Sequence, residues 1–154
     1  MKKLSLVIVF LFAAASYAQM PAQDEIELIQ EIFGSEKKEI ISENIDLSGV
    51  DAAKFWKLYD EYELARKLNG QERIKLLSTY ASTTSAISNE MAESMLEKAI
   101  MIRSANENNL MKYTKKIKKA TNPIVAAQFY QIEQYIADGI RFSILDNMDF
   151  IQDK

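Results

Sequence analysis

Apolar residues recur three and four positions apart along most of this chain, and they nowhere alternate convincingly in the manner of a strand. The pattern predicts helices. A first segment, roughly Asp24 to Asn44, sets Ile26, Ile29, Phe33, Ile40 and Ile41 at helical spacing, with a gap in the stripe at Glu36 and Lys37. Gly34 inside it weakens the helix by about 1 kcal/mol against Ala and marks a place for a kink or a break. A second segment opens at Ser48, a capping residue type, with Asp51 three positions on, where a carboxylate favours the positive helix N-terminus. Its stripe runs Phe55, Leu58, Tyr59, Tyr62, Ala65 and Leu68, breaks at Asn69-Gly70, and resumes at Ile74, Leu77, Tyr80 and Ala81. Good helix formers follow the Gly and no Pro does, so one helix reaching about Ile87 is expected.

A third segment, about Asn89 to Lys119, carries Met91, Met95, Ala99, Ile102, Leu110, Tyr113 and Ile117. Asn106 and Asn109 fall on the same stripe. The expectation is that they touch water where the stripe is narrow; the alternative is a buried pair that fixes helix register. The fourth segment opens at Asn122-Pro123, an N-cap followed by Pro at the first helical position. It carries Ile124, Ala127, Phe129, Ile132, Tyr135, Ile136, Ile140 and Phe142, with a frayed tail expected from Asp146.

One phrase is written twice: AAKFWKL at 52–58 and AAQFYQI at 126–132. The alignment also sets Ser48 opposite Asn122, Gly49 opposite Pro123 and Val50 opposite Ile124. This reads as a helix-start unit. A cap fixes the first turn, small Ala residues admit a neighbouring backbone, and Phe with a large aromatic supplies apolar contact. Phe55 and Trp56 belong to the first copy, Phe129 and Tyr130 to the second. The unit is structural and holds no catalytic pair.

Composition narrows the function. Lys2 and Lys3 precede an apolar run, Leu4 to Ala15, and Ser16-Tyr17-Ala18 forms a small-x-small cleavage site. Residues 1–18 therefore read as a secretory signal peptide and 19–154 as a single all-helical domain. No Cys follows the run, so lipid attachment there is not expected, and no membrane span is expected after cleavage. The chain has no His and no Cys, and its net charge is −3 before the two leader lysines are removed. That composition removes disulfides, the commonest metal ligand and the usual general base, and makes nucleic acid a poor partner. No phosphate loop, nucleophile elbow or metal motif is present. Asp60, Glu61 and Glu63 offer no acid/base pair, since helical neighbours diverge and nothing in the sequence isolates one of them. No cofactor, no obligatory metal and no enzymatic activity are expected.

Leu47-Ser48-Gly49-Val50-Asp51 resembles the Leu-Thr-x-x-Gln motif of the Spy/CpxP family of bacterial periplasmic helical proteins, which carries the motif near the starts of two helices. Ala52 to Tyr62 resembles relatives with an FWxxYxxY stretch. The second copy departs further, with Thr121 and Asn122 in place of Leu-Thr and Val125 in place of Gln. The resemblance implies an elongated, curved antiparallel hairpin or bundle of about four helices, dimerised into a cradle, in the periplasm. It also implies an ATP-independent chaperone, an envelope-stress accessory or a metal sensor, and the absence of His disfavours the last.

Two groups of residues are candidates for contact with clients. Met91 and Met95 lie four apart on one helical face; core packing, a client surface and a Cu(I) site are the three readings of such thioethers. Lys112, Lys115, Lys116, Lys118 and Lys119 crowd the end of the third helix. They complement the helix dipole, or form a docking patch for acidic clients or anionic lipid. The acidic segment from Asp24 to Glu43 is a possible partner for them within the fold or across a dimer. The expected function is a periplasmic chaperone-like protein that binds exposed client segments. The alternative is a signalling accessory that touches a membrane sensor or an anti-sigma factor.

Overall fold

The computed structural model describes residues 23–83 and 86–146. It is all helical over that range, with four helices: α1 (Gln23–Asn44), α2 (Ala52–Ser82), α3 (Asn89–Ala120) and α4 (Pro123–Asp146). The leader at 1–18 lies outside the described residues.

Each boundary has a local cause. Helix α1 passes through Gly34 without a break. Helix α2 begins at Ala52, and its cap is Asp51, whose Oδ1 accepts from the Lys54 N–H at 3.0 Å. Ser48 is not the cap, contrary to the sequence expectation. Gly49 takes φ +77°, a left-handed conformation that ends any helical run through it. The Ser48 N–H instead donates to Asp46 Oδ1 at 2.8 Å, closing a turn ahead of the helix. Asn69-Gly70 leaves α2 continuous, as the helix formers after it require. The helix stops at Ser82, short of Ile87, where the Thr83 N–H bonds back to the Tyr80 carbonyl. Ser88 caps α3 through the Met91 N–H. Asn122 Oδ1 accepts from the Val125 N–H at 2.9 Å, with Pro123 in the first turn where its missing N–H costs nothing.

The helices run antiparallel to their sequence neighbours. At about 1.5 Å per residue, α2 and α3 form a hairpin some 45 Å long. Asn69 Nδ2 donates to Asn106 Oδ1 at 3.2 Å, and Asn109 Nδ2 to the Tyr62 carbonyl at 3.2 Å. Both Asn residues of α3 are half-buried and tie it to α2. They fix the register of the hairpin rather than merely facing water.

The main core draws on every helix: Ile41 and Ile45 from α1 and its exit, Phe55, Tyr59 and Tyr62, then Leu110, Tyr113 and Ile117, then Val125, Ala126 and Phe129. A second cluster joins Phe33 to Ile136. Burying each such side chain contributes roughly 1.5–3 kcal/mol against leaving it in water. This core lies at the end of the molecule where α1 leaves and α4 begins. Among the described residues of the far half of the hairpin, Met95 is the buried hydrophobic.

Candidate functional site

The repeated phrase meets itself in this core. Phe55 and Phe129 are both fully buried and pack edge to face with ring centroids 6.4 Å apart. Phe129 also sits edge-on to Tyr59 and Tyr62, at 6.4 and 5.2 Å. The second aromatic of each copy behaves differently. Trp56 is half-buried beneath the Lys38 ammonium, 5.2 Å from its ring, whereas Tyr130 is exposed. Leu47 packs against the rim of the core. The caps do not correspond, because Asp51 and Asn122 are the capping residues. The two copies therefore share their Phe and not their helix start.

One turn further along, the core turns ionic. Lys37 of α1 is 1% exposed and lies between two buried carboxylates, Glu63 of α2 and Glu133 of α4, which are 8% and 3% exposed. Its Nζ contacts Glu63 Oε1 and reaches Glu133 Oε2 at 2.7 Å. Arg66 Nε donates to Glu63 Oε1 at 2.8 Å, and the Tyr62 hydroxyl donates to Glu133 Oε2 at 2.7 Å. The rings of Tyr62 and Phe33 lie under Lys37 and Arg66, at 5.1 and 5.0 Å. Lys37 and Arg66 face Glu63 and Glu133 at contact distance, and these pairings offset the cost of burying the group.

The two carboxyls are pushed apart. Burial drives both upward. At Glu63 the Lys37 and Arg66 charges outweigh burial and hold the carboxyl below the ordinary glutamate range. At Glu133 burial prevails over Lys37, and the Glu63 charge adds to it, so its carboxyl lies above that range. Burial, then the neighbouring carboxylates, keeps Tyr59 and Tyr62 firmly protonated. Divergent carboxyls also mark acid/base sites. Here both carboxyls are buried, and Lys37 of α1 lies between them. As it stands, the arrangement anchors α1.

Sequence reasoning missed this layer, and the signal was present. Lys37 stands four residues after Phe33 and four before Ile41; Glu63 stands four after Tyr59; Glu133 stands four after Phe129. Each is a charge on the apolar stripe of its helix. The gap seen at Glu36 and Lys37 is the position of the buried cation. Glu63 is isolated from Asp60 and Glu61 by burial, contrary to the expectation that nothing sets it apart.

The remaining candidates divide between core and surface. Met95 is buried while Met91 is 38% exposed, so the pair does not present one thioether face. Lys116 pairs with Glu61 of α2 at 3.3 Å and lies 4.5 Å over the Tyr113 ring; of the α1 acids expected to meet the lysines, the side chains of Asp24, Glu25, Glu27 and Glu31 lie outside the described residues. Lys112 lies 5.3 Å over the same ring. Lys115 and Lys119 are exposed, and Lys118 and Lys119 occupy the last turn, where they complement the helix dipole. The described part of α1 contributes cations to acids on its neighbours: Lys37 meets Glu63 and Glu133, and Lys38 meets Asp60 at 2.8 Å. Among the described residues no cluster of three or more His, Cys, Asp or Glu could hold a metal, and no helix is long and apolar enough to cross a membrane. No protein-family model, no curated protein and no solved structure matches this chain.

Proposed function

We propose that this protein is a non-enzymatic, periplasmic, chaperone-like binder of exposed segments of other polypeptides, working as a homodimer without ATP, cofactor or metal. The observation that carries the reading is the exposed apolar surface of the α2–α3 hairpin. Leu64 and Leu68 on α2, and Leu96, Ile100 and Met101 on α3, are each more than half exposed. Single exposed apolar residues are ordinary, but several on one hairpin that contributes little core in its outer half suit contact with apolar segments. Exposed Met side chains adapt to varied partners. Charge of both signs lies along the same helices, and Lys112, Lys115, Lys116 and Lys119 at one end would speed encounter with acidic clients. The leader-like residues 1–18 and the likeness of Leu47–Asp51 to the Spy/CpxP motif support export and the family reading.

The test is aggregation of several unrelated clients followed by light scattering at equimolar protein. The expected result is a delay for most of them. Leu96→Ser with Ile100→Ser should weaken it, and Lys115→Glu with Lys119→Glu should slow capture and flatten its salt dependence. Failure to delay any client would sink the chaperone reading and leave the signalling accessory, with one dedicated partner, in the lead.

A further inference from the structure

Helix α4 is apolar on two opposite faces. Val125, Ala126, Phe129 and Ile136 face the bundle, while Ile124, Tyr135, Phe142 and Leu145 are 58–71% exposed on the other side. Large exposed apolar residues that recur along one helix face mark an interaction surface. The outward positions 124, 128, 131, 135, 138, 142 and 145 advance by alternating fours and threes, the spacing of a coiled-coil seam. Read backwards, the series matches itself about Tyr135 to within one residue. Ile124 then falls opposite Leu145, Gln128 opposite Phe142, and Gln131 opposite Asp138.

We propose that a second copy of this chain covers this face, α4 packing antiparallel on α4 about a twofold axis at Tyr135. Charge selects the direction. Antiparallel pairing sets each Asp138 carboxylate against a Gln131 amide that can donate to it, whereas parallel pairing in register would set Asp138 against Asp138. Size is adequate: at roughly 150 Å² per large side chain, the four exposed residues on two copies remove on the order of 1,200 Å², the lower bound for a stable interface. The arrangement is isologous and closes on itself, leaving the outer faces of the α2–α3 hairpin free. It deepens the homodimer named above and rests on that reading only for the number of copies.

The chain has no Cys, so an introduced thiol is unique. Ile124→Cys and Leu145→Cys are made separately, mixed and oxidised with the full chain. Disulfide heterodimers should form in the mixture and not with either variant alone, because antiparallel pairing holds each residue about 30 Å from its own counterpart. Tyr135→Cys alone should cross-link. By sedimentation velocity the unmodified protein should be a dimer, and Tyr135→Lys a monomer with unchanged helicity. Cross-linking of Ile124→Cys with itself would overturn the antiparallel seam. A monomeric unmodified protein that still delays client aggregation would overturn the pairing and leave the client reading intact; a cross-linked dimer without client activity would do the reverse. A monomer whose client activity falls on Tyr135→Lys would mean that clients, not a second copy, occupy the seam.

Discussion

Phe129 has no exposed surface and touches three rings of α2, so it joins the fourth helix to the second at one point. Phe129→Ala should destabilise the protein by about 3–5 kcal/mol, from lost burial and the cavity left behind. Urea denaturation measures it, and a change within error would mean the core closes around the gap. The neighbouring Lys37 obeys a different rule. Removing one member of a buried ionic group leaves the others uncompensated, whereas removing the group together is often neutral. Lys37→Met should therefore cost about 3–5 kcal/mol, since it strands Glu63 and Glu133 without their shared cation. Lys37→Met combined with Glu133→Leu removes the cation together with the carboxyl it meets and leaves Glu63 on Arg66, and should recover much of that loss. Glu63 Oε2, Glu133 Oε1 and Arg66 Nη2 have no hydrogen-bond partner in the fold, so the wild-type layer is itself incompletely satisfied. If the double variant is less stable than the single one, Glu133 stabilises the core by some means other than holding Lys37.

At the scale of the helix, Asp51 and Ser48 offer a clean comparison. Asp51 accepts from the first turn of α2 and Ser48 does not. Asp51→Ala should lower the melting temperature by a few degrees while Ser48→Ala leaves it unchanged. The opposite order would restore Ser48 as the start of the helix. This pair also shows what the sequence could convey. The four helices, the unbroken passage through Asn69-Gly70 and the Asn122-Pro123 start were legible, because periodicity and capping chemistry act over a few residues. The matched cap was misread because a Ser, a Gly and an Asp within four positions allow two starts, and only the backbone conformation at Gly49 separates them. The ionic layer was not assembled for a related reason. A charge on an apolar stripe looks like a gap from one helix alone; it becomes a triad only when α1, α2 and α4 supply partners across separations of 26 and 71 residues, as in Lys37–Glu63 and Tyr62–Glu133.

For the molecule as a whole, the layer ties α1 to the bundle and makes stability depend on pH in two opposed ways. Glu63 ionises more readily in the fold than in the unfolded chain. Below the ordinary glutamate pKa of about 4.3 the unfolded chain therefore takes up the proton first, and stability falls as pH falls through the depressed folded value. Glu133 does the opposite, since its folded carboxyl holds a proton to higher pH than the unfolded one. Its contribution is full below the ordinary glutamate pKa and is lost as pH rises through the raised folded value. Lys37 from α1, Arg66, Tyr59 and Tyr62 from α2, and the Asn109 amide bonded to the Tyr62 carbonyl from α3 surround the pair. Stability should therefore peak in the mildly acidic range and decline on both sides. Urea midpoints measured from strongly acid to mildly alkaline pH give the profile. Glu133→Gln keeps the shape and fixes the neutral state, so it should flatten the decline toward neutral pH; Glu63→Gln should flatten the decline toward acid at a lower overall stability. Hydrogen exchange adds a location: amides of α1 should open more readily than those of α2 wherever the midpoint is low, because α1 is the helix that the layer anchors. A midpoint that climbs steadily from acid to neutral, unchanged by Glu133→Gln, would show that Glu133 ionises as an ordinary glutamate and that the core holds no extra proton.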